Sequence, residues 1–254
     1  MKKTKDQQLE ELVHHINTLV FSDYTFQTIT EKIGRGWGLF ESSINLDFDF
    51  SNINHLTTIL KTPILRDTIK EPENPLKENF TVLDLETKGL VRDEFIFMGG
   101  LLQREGQNLF VRQYISFSEK KEKGLIRWLK RNLKGKTLIT YNGKAFDIPF
   151  LHYRASLHGI SFETPQHHID VIHIARKVFK DSFNSRKLKV LEYNVLGTWR
   201  EMDVHPSLIP TLIENFQKTR KLDFLRVISR HNAYDLISTL KILEKIIEIL
   251  QKEI

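Results

Sequence analysis

Two acidic residues separated by a single position, Asp84 and Glu86, follow a short apolar run in the string VLDLETKGL. The run at residues 80–85 predicts a buried strand, and residues i and i+2 of a strand point to the same face. Both carboxylates therefore emerge together, with Leu83 and Leu85 on the opposite face. Adjacent acids repel unless a cation lies between them, and Mg²⁺ or Mn²⁺ supplies that charge to hard oxygen ligands. Taken alone, the pair also fits a solvated strand end.

A third acid, Asp147, lies in the string TYNGKAFDIPFL. We expect a strand over residues 136–141, a polar turn over residues 142–144 and a helix that begins at Asp147. An aspartate at a helix start is commonly a cap, so this residue alone is open to that interpretation. Asn142 is open in the same way, because it fits a simple turn residue as well as a functional one.

A fourth acid, Asp235, lies in the string SRHNAYDLISTLKIL, within a helix predicted from near Val227 to about Gln251. His231 precedes it by four residues, so the two side chains project from one face of the helix, one turn apart. Such a pair is commonly a surface ion pair. Here the other side of the helix carries an apolar stripe, which gives the His231 and Asp235 face a definite orientation relative to the core.

The elements that must position these residues change in character along the chain. Apolar residues at spacings of three and four predict an amphipathic helix within residues 1–20. An irregular stretch follows, with a turn or loop in IGRGWGLF, because these glycines lack the spacing of a dinucleotide-binding loop. The breaker-rich residues 71–75 predict a linker.

Beyond that linker the pattern becomes that of alternating strands and helices. Strands are predicted over residues 80–85, 95–102 and 109–116, with a hairpin turn over residues 105–108. A helix over residues 119–133, a strand over residues 136–141 and mainly helices from Phe146 onward complete the pattern. Three strands, a helix, a strand and then helices predict an α/β fold with a mixed sheet.

Composition excludes several classes of protein. The 254 residues contain no cysteine, which excludes a disulfide scaffold, a cysteine-ligated zinc site and a thiol nucleophile. No apolar run approaches the ~20 residues needed to cross a bilayer, so we expect no membrane association and a soluble, cytoplasmic protein. The 38 Lys and Arg residues exceed the 32 Asp and Glu residues, and a net charge of +6 is compatible with a polyanionic partner.

Basic residues are densest over residues 120–136 and again over residues 176–189. On helices such runs are commonly solvated faces. They are also able to guide a phosphate backbone towards the acids.

The order and context of the four acids resemble the DEDD superfamily of ribonuclease-H-like 3′–5′ exonucleases. The strings DLETKGL, TYNGKAFDIPFL, HIDVIHIARK and HNAYDLISTL, with the intervening LEYNVLG–R–DV–IP stretch, are most similar to the YprB-like branch. The string YNGKAFDIPFL is also similar to the proofreading exonuclease of B-family DNA polymerases. The resemblance covers about residues 79–250.

This resemblance implies a ribonuclease-H-like mixed sheet flanked by helices and hydrolysis of nucleic acid by two divalent cations, Mg²⁺ or Mn²⁺, held roughly 3.5–4 Å apart. The implied metal ligands are Asp84, Glu86, Asp147 and Asp235. His231 would orient or deprotonate the attacking water. Further candidates for substrate contacts are Thr87, Lys88, Asn142 and Lys144.

Some positions depart from the family pattern without removing a metal ligand. Lys88 stands where the family often has a second threonine, and Val204-His205-Pro206 stands where it often has Val-Pro-Gly. His231 lies four residues before Asp235, a spacing typical of the tyrosine subclass, whereas the histidine subclass usually uses five. The role of His231 is therefore less closely defined than that of the acids.

The expected organisation is an N-terminal accessory region, residues 1–75, partly helical and docked on the rest or covering the substrate cleft, and an exonuclease domain, residues 76–254. DNA is favoured as the substrate, with single strands or 3′ ends. An RNA-processing exoribonuclease, a non-catalytic nucleic-acid-binding module and a structural partner subunit are the alternatives. Four intact acids speak against the binding module, because such a cluster repels phosphates.

Overall fold

The computed structural model of the protein describes residues 4–18, 25–46, 48, 79–89, 91–198, 200 and 203–252. Their strands are β1 (Thr25–Gly34), β2 (Trp37–Asn45), β3 (Phe80–Thr87), β4 (Ile96–Glu105), β5 (Asn108–Ser116), β6 (Thr137–Thr140) and β7 (His168–Asp170). Their α-helices are α1 (Lys5–Thr18), α2 (Glu119–Leu133), α3 (Asp147–Leu157), α4 (Val171–Val178), α5 (Leu188–Leu191), α6 (Ile209–Thr219) and α7 (Leu222–Gln251). The predicted linker at residues 71–75 lies outside the described residues.

All these strands join one mixed sheet in the order β1-β2-β5-β4-β3-β6-β7. The strands from β1 to β3 in that order pair antiparallel, whereas β6 pairs parallel to β3 and β7 parallel to β6. The carboxyl ends of β3, β6 and β7 therefore lie along one edge of the sheet. In open α/β sheets this edge is where ligands bind.

Helices cover both faces of the sheet. On one face, Val82 of β3 and Ile139 of β6 pack in one apolar cluster with Leu236 and Leu240 of the long helix α7. On the other face, Leu83 and Leu85 pack with residues of α2 and α3. The predicted division of β3 into two faces is confirmed, because alternate residues enter different clusters.

The N-terminal part contributes to the same sheet. Strands β1 and β2 form a hairpin through Arg35 and Gly36, whose φ of 103° suits glycine. The prediction of an irregular stretch around these glycines is wrong: a turn is present, but strands flank it on both sides. Strand β2 pairs with β5, and its residues Phe40 and Ile44 are buried.

Most other predicted elements are confirmed. Helices α2 and α3 start at the predicted residues, and the hairpin between β4 and β5 turns at Gly106 and Gln107. Helix α7 begins five residues earlier than predicted, and the short strand β7 was not predicted. None of the helices in the described part of the chain combines the length and the apolar character needed to cross a membrane.

Candidate active site at the carboxyl end of β3

Asp84 and Glu86 lie near the carboxyl end of β3, on the face covered by α7. Glu86 is 9% exposed. Strand alternation places both side chains on the face of Val82, away from Leu83 and Leu85. The sequence therefore correctly predicts that the two carboxylates share a face.

Asp147 approaches these acids from the neighbouring strand. One oxygen, Oδ1, accepts a hydrogen bond of 3.0 Å from the main-chain N–H of Leu85, so the first residue of α3 is joined to β3. The residue at the N-cap position of α3 is Phe146, whereas Asp147 is the first residue of the helix itself. Of the two interpretations of Asp147, the structure supports membership of the acidic cluster over simple helix capping.

The turn before Asp147 is held by a second buried acid, Asp170, at the carboxyl end of β7. Its two oxygens accept hydrogen bonds from the main-chain N–H groups of Asn142 at 2.6 Å and Lys144 at 2.9 Å. Asn142 has a φ of 66°, a left-handed conformation that non-glycine residues adopt rarely. Asp170 thus stabilises a strained turn that positions Asp147.

Helix α7 brings His231 and Asp235 to the same place. The Nε2 atom of His231 lies 3.7 Å from Oδ2 of Asp235, while its Nδ1 atom lies 2.8 Å from Oδ1 of Asp203. Asp203 is buried and accepts a hydrogen bond from the Nδ1–H group, which directs Nε2 towards the acids. The histidine is therefore oriented by one carboxylate and faces others.

Asn232, the residue after His231, bridges two strands across a glycine. Asp84, Gly100 and Gln113 lie in one row across β3, β4 and β5. Above Gly100, the Nδ2 group of Asn232 donates to Oδ2 of Asp84 at 2.7 Å, and its Oδ1 atom accepts from Nε2 of Gln113 at 2.8 Å. A Cβ atom on Gly100 would lie 1.9 Å from Oδ1 of Asn232. The bridge exists because this position has no side chain.

A buried arginine, Arg200, joins the remaining acids. Its Nη1 atom lies 2.6 Å from Oδ1 of Asp235 and 3.2 Å from Oδ2 of Asp203, and its Nε atom donates to Glu192 at 2.9 Å. Its guanidinium also lies over the ring of Tyr234, 5.4 Å from the centroid. Arg200 therefore fixes Asp235 and the carboxylate that orients His231.

Burial and crowding make the carboxylates difficult to ionise. Burial raises the pKa of Asp84 well above its ordinary value, and the neighbouring charges of Asp235, Glu86 and Asp147 add to this. Burial likewise raises the pKa of Glu86 to about 8, and that of Asp147 to about 7. The main physical cause is that burial removes the carboxylates from water, which disfavours their charged form, and repulsion from the neighbouring acids adds to it.

The pKa values of His231 and Asp203 are shifted in opposite directions by their surroundings. Burial alone would lower the pKa of His231, but the charge of Asp235 and the hydrogen bond to Asp203 raise it to about 9. Burial alone would raise the pKa of Asp203, but the hydrogen bond and charge of His231, with Arg200, hold it below its ordinary value. As long as no cation neutralises the acidic cluster, His231 is protonated and Asp203 is ionised, so the two side chains form an ion pair.

Comparison with known proteins agrees with this architecture. A profile of the RNase_H superfamily matches residues 81–247, well over half of the chain. The chain belongs to the RNase_H superfamily. The matched region contains β3, α3 and most of α7, the elements that carry the acids.

This member of the RNase_H superfamily is also similar to a curated relative and to a solved structure. It is 28% identical over 201 residues, 77% of this chain, to the "Uncharacterized protein YprB" of Bacillus subtilis (strain 168), and it spans about half of that relative's length, 48%. It is similar to the family B DNA polymerase of the hyperthermophilic archaeon Pyrobaculum calidifontis, with a TM-score of 0.50, 17% identity, and coverage of 69% of this chain and 25% of that chain. At that identity the second likeness shows the fold alone. Together these findings confirm the predicted ribonuclease-H-like fold and the resemblance to the YprB-like branch.

The donor set of the cluster fits a divalent cation by its chemistry. Asp84, Glu86 and Asp147 present only oxygen ligands, are buried together and repel one another, which is the situation that a hard cation relieves. Among the described residues, no three histidine or acidic side chains converge closely enough to hold a metal ion as they stand. Three of the acids are instead held by partners of their own: Asp84 by Asn232, Asp147 by the N–H group of Leu85, and Asp235 by Arg200.

The four candidate substrate contacts lie around this cluster with different partners. The hydroxyl of Thr87 donates to the carbonyl of Gly89 at 2.6 Å, and the ammonium of Lys88 lies 3.7 Å from Glu214. The main chains of Asn142 and Lys144 are bound to Asp170, and the side chain of Lys144 is exposed. Asn142 also lines a cavity beside the turn.

Several site residues escaped sequence reasoning. Asp203, Arg200, Asn232 and Gln113 were not assigned roles, although Asn232 adjoins His231, and Arg200 and Asp203 lie in the LEYNVLG–R–DV stretch. The available signal was the position of these polar residues inside strings that otherwise resemble the family. Their roles depend on contacts between distant segments.

Proposed function

We propose that the protein is a divalent-metal-dependent 3′–5′ exonuclease that hydrolyses phosphodiester bonds and releases nucleoside monophosphates, with single-stranded DNA or DNA 3′ ends as its substrate. The observation that carries the proposal is the gathering of Asp84, Glu86, Asp147 and Asp235 at one sheet edge, beside a histidine that Asp203 orients. A repulsive buried cluster has no structural benefit, so a ligand that compensates its charge explains it best.

The residues that would hold the cations are Asp84, Glu86, Asp147 and Asp235. Bound divalent ions supply an acidified water and neutralise charge that develops on the leaving 3′ oxygen. The protein's part is to fix the carboxylates: Asn232 holds Asp84, and the Leu85 N–H holds Asp147.

His231 would handle the proton of the attacking water. Asp203 fixes the Nδ1–H tautomer, so Nε2 is the atom available towards the acids. A histidine with a pKa near 9 is protonated at neutral pH and is not a base. Divalent cations held by the acids would offset the charges of Asp235 and Glu86, which raise this pKa, and would so favour the neutral form of His231 that accepts a proton.

The decisive experiment uses 5′-labelled single strands of DNA and RNA and the matching duplexes, with Mg²⁺, Mn²⁺ or EDTA. The expected result is a metal-dependent ladder that shortens from the 3′ end, faster on DNA. A 3′-terminal phosphorothioate should slow the first step. Strands that are bound but never cut, in either metal, would refute the enzyme and favour a binding module.

Matched substitutions assign the reaction to this site. Asp84→Asn and Asp235→Asn should abolish turnover and leave the fold nearly intact, because the change removes a charge without changing shape. The control is Asp223→Asn, which lies in α7 like Asp235 but has a half-exposed side chain, and this variant should keep activity. Wild-type activity in either of the first two variants would contradict the assignment.

We also propose that residues 76–254 carry the reaction and that residues 1–75 act as a docked accessory. In support, β2 pairs with β5, and Ile44 is buried in the cluster that α7 shares with the sheet. Ile44→Ala should then lower the temperatures of unfolding and of activity loss together, by a stability cost of about 2–5 kcal/mol. Activity that survives after the β2 region has melted would contradict a docked accessory.

A further inference from the structure

A cavity of about 540 Å³ opens beside the acidic site. Its walls include Tyr141 and Asn142, which follow β6, and a segment that follows α4. Three cationic residues line it: Arg176, Arg186 and Lys187. The acids of the candidate active site are not among its lining residues.

Arg186 is built into the wall of this cavity. Its guanidinium donates to the carbonyl oxygens of Phe179 and Phe183, at 2.6 and 2.5 Å, and its own carbonyl accepts from the hydroxyl of Tyr141. Its Nε atom is buried without a hydrogen-bond partner in the described part of the chain. These partners are neutral carbonyls, and Arg186 forms no ion pair with a carboxylate in the described ranges.

The other two cations that line the cavity are exposed. Neither Arg176 nor Lys187 forms an ion pair with a described residue, and no carboxylate lines the cavity. The amide of Asn184 and the hydroxyl of Ser185 add hydrogen-bonding groups. Three cations with neutral polar neighbours favour an anionic ligand, and arginine in particular matches the oxygens of a phosphate group.

The position of the cavity relates it to the acids. Strands β3, β6 and β7 are adjacent and parallel, and neighbouring strands lie about 4.8 Å apart. The ends of β6 and β7 are therefore offset from the end of β3 by about 5–10 Å across the sheet, so a ligand that reaches both the cavity and the acids must be longer than a single phosphate group. Asn142 belongs to both places, because it lines the cavity and begins the turn that leads to Asp147.

We infer that this cavity binds an internal phosphodiester of the substrate strand, upstream of the bond that is cut. The inference rests on the proposed nuclease function and adds a subsite that selects strands by length. A free nucleotide or inorganic phosphate carries the same anionic group, but neither reaches the acids and the cavity at once. The subsite therefore favours a strand over its product.

Binding tests the subsite without turnover. Fluorescein-labelled single strands of 2, 4, 6 and 8 nucleotides are titrated with the full chain in EDTA and followed by anisotropy. Affinity should rise about tenfold between 2 and 6 nucleotides, and Arg176→Glu/Lys187→Glu should remove that rise. The salt dependence of the 8-mer should also weaken, by a slope of about 0.7 for each phosphate that the variant no longer binds.

The control is Lys32→Glu/Arg35→Glu, an equal change of charge on exposed residues of the β1–β2 hairpin, at the opposite end of the strand order from β7. It should keep the rise of affinity with length. Equal losses in both variants, or an unchanged rise in the cavity variant, would overturn the subsite. So would inorganic phosphate that competes with the 8-mer at the affinity of the strand itself.

The failure of the subsite and the failure of the nuclease are distinguishable. A cavity variant that cuts a dinucleotide normally but an 8-mer with a raised KM supports both proposals. A chain that cuts no strand while its affinity still rises with length refutes the nuclease alone. Normal kcat/KM of the cavity variant on the 8-mer refutes the subsite alone.

Discussion

The glycine beneath Asn232 allows a prediction that joins folding to activity. Gly100→Ala would place a Cβ atom 1.9 Å from Oδ1 and 2.7 Å from Cγ of Asn232. The amide must therefore retreat by more than about 1 Å, since carbon atoms do not approach so closely. That movement breaks the hydrogen bond of 2.7 Å by which Asn232 holds Asp84.

The expected cost follows from those distances. Overpacking a core costs about 1–3 kcal/mol, and the loss of a hydrogen bond to a charged group costs about 1.5–3 kcal/mol. Gly100→Ala should thus lower the free energy of unfolding by roughly 3–5 kcal/mol. Because a misplacement of about 1 Å costs on the order of 100-fold in rate, kcat on a DNA strand should fall by a similar factor.

Two further variants make the test specific. Gly99→Ala, one residue earlier, meets only the flexible end of Leu129 at 3.0–3.3 Å, so it should cost about 1 kcal/mol or less and keep kcat. Asn232→Ala vacates the space that Gly100→Ala needs. The double variant should therefore be more stable than the sum of the single costs implies, by about 1–3 kcal/mol.

The assay is urea unfolding of the wild type and these variants in EDTA, beside kcat in Mn²⁺. Additivity within about 0.5 kcal/mol in the cycle of Gly100→Ala and Asn232→Ala would show that the two positions are independent. Equal effects of Gly99→Ala and Gly100→Ala would show that the bridge does not matter. Either result would refute the reasoning.

Three other predictions concern charge. The pKa of Glu86 is raised from 4.5 to about 8, so the folded state holds the extra proton between these values and stability in EDTA falls as the pH rises through them. Glu86→Gln should remove the contribution of Glu86 and leave those of Asp84 and Asp147, a gain of up to roughly 3–5 kcal/mol at pH 8 in urea unfolding. Equal slopes of stability against pH in the variant and the wild type would refute it. Burial lowers the pKa of His168 from 6.5 to about 4, so stability is lost as the pH falls from 6.5 to 4. His168→Gln should reduce this loss of stability. The loss due to His168 is below about 3 kcal/mol, because the ring is partly exposed to solvent. Arg200→Gln breaks a buried ion pair with Asp235, so it should lower the free energy of unfolding in EDTA by about 3–5 kcal/mol. Mn²⁺ should raise the Tm of this variant more than that of the wild type, because the carboxylate of Asp235 is then free to bind the ion. Equal increases of Tm in the two proteins would contradict this.

Local patterns made part of this structure predictable. In β3, α2 and α3 the apolar residues recur at the short spacings typical of a strand or a helix, so the ends of these elements could be predicted within a few residues. Asp84 and Glu86 lie near the carboxyl end of β3, Asp147 begins α3, and parallel strands bring their carboxyl ends to one edge of the sheet. The neighbourhood of the acids therefore follows from local sequence.

The remaining features depend on distant partners. Strands β1 and β2 were missed because glycines at positions 34, 36 and 38 weaken the strand signal, and because β2 obtains its partner β5 about seventy residues later. Arg200 and Asp203 lie outside regular elements, and only the folded chain places them against His231 and Asp235. Asn232 likewise acquires its role from the missing side chain at Gly100.

The pairing of β2 with β5 has a consequence for the order in which the chain is made. Residues 37–44 leave the ribosome before residues 109–116, to which they pair. At about 5–20 residues per second, the first hairpin waits roughly 4–15 seconds for its partner strand. During that interval its open strand edge is accessible to chaperones and to other nascent chains, so the yield of folded protein should depend on translation speed between these two strands.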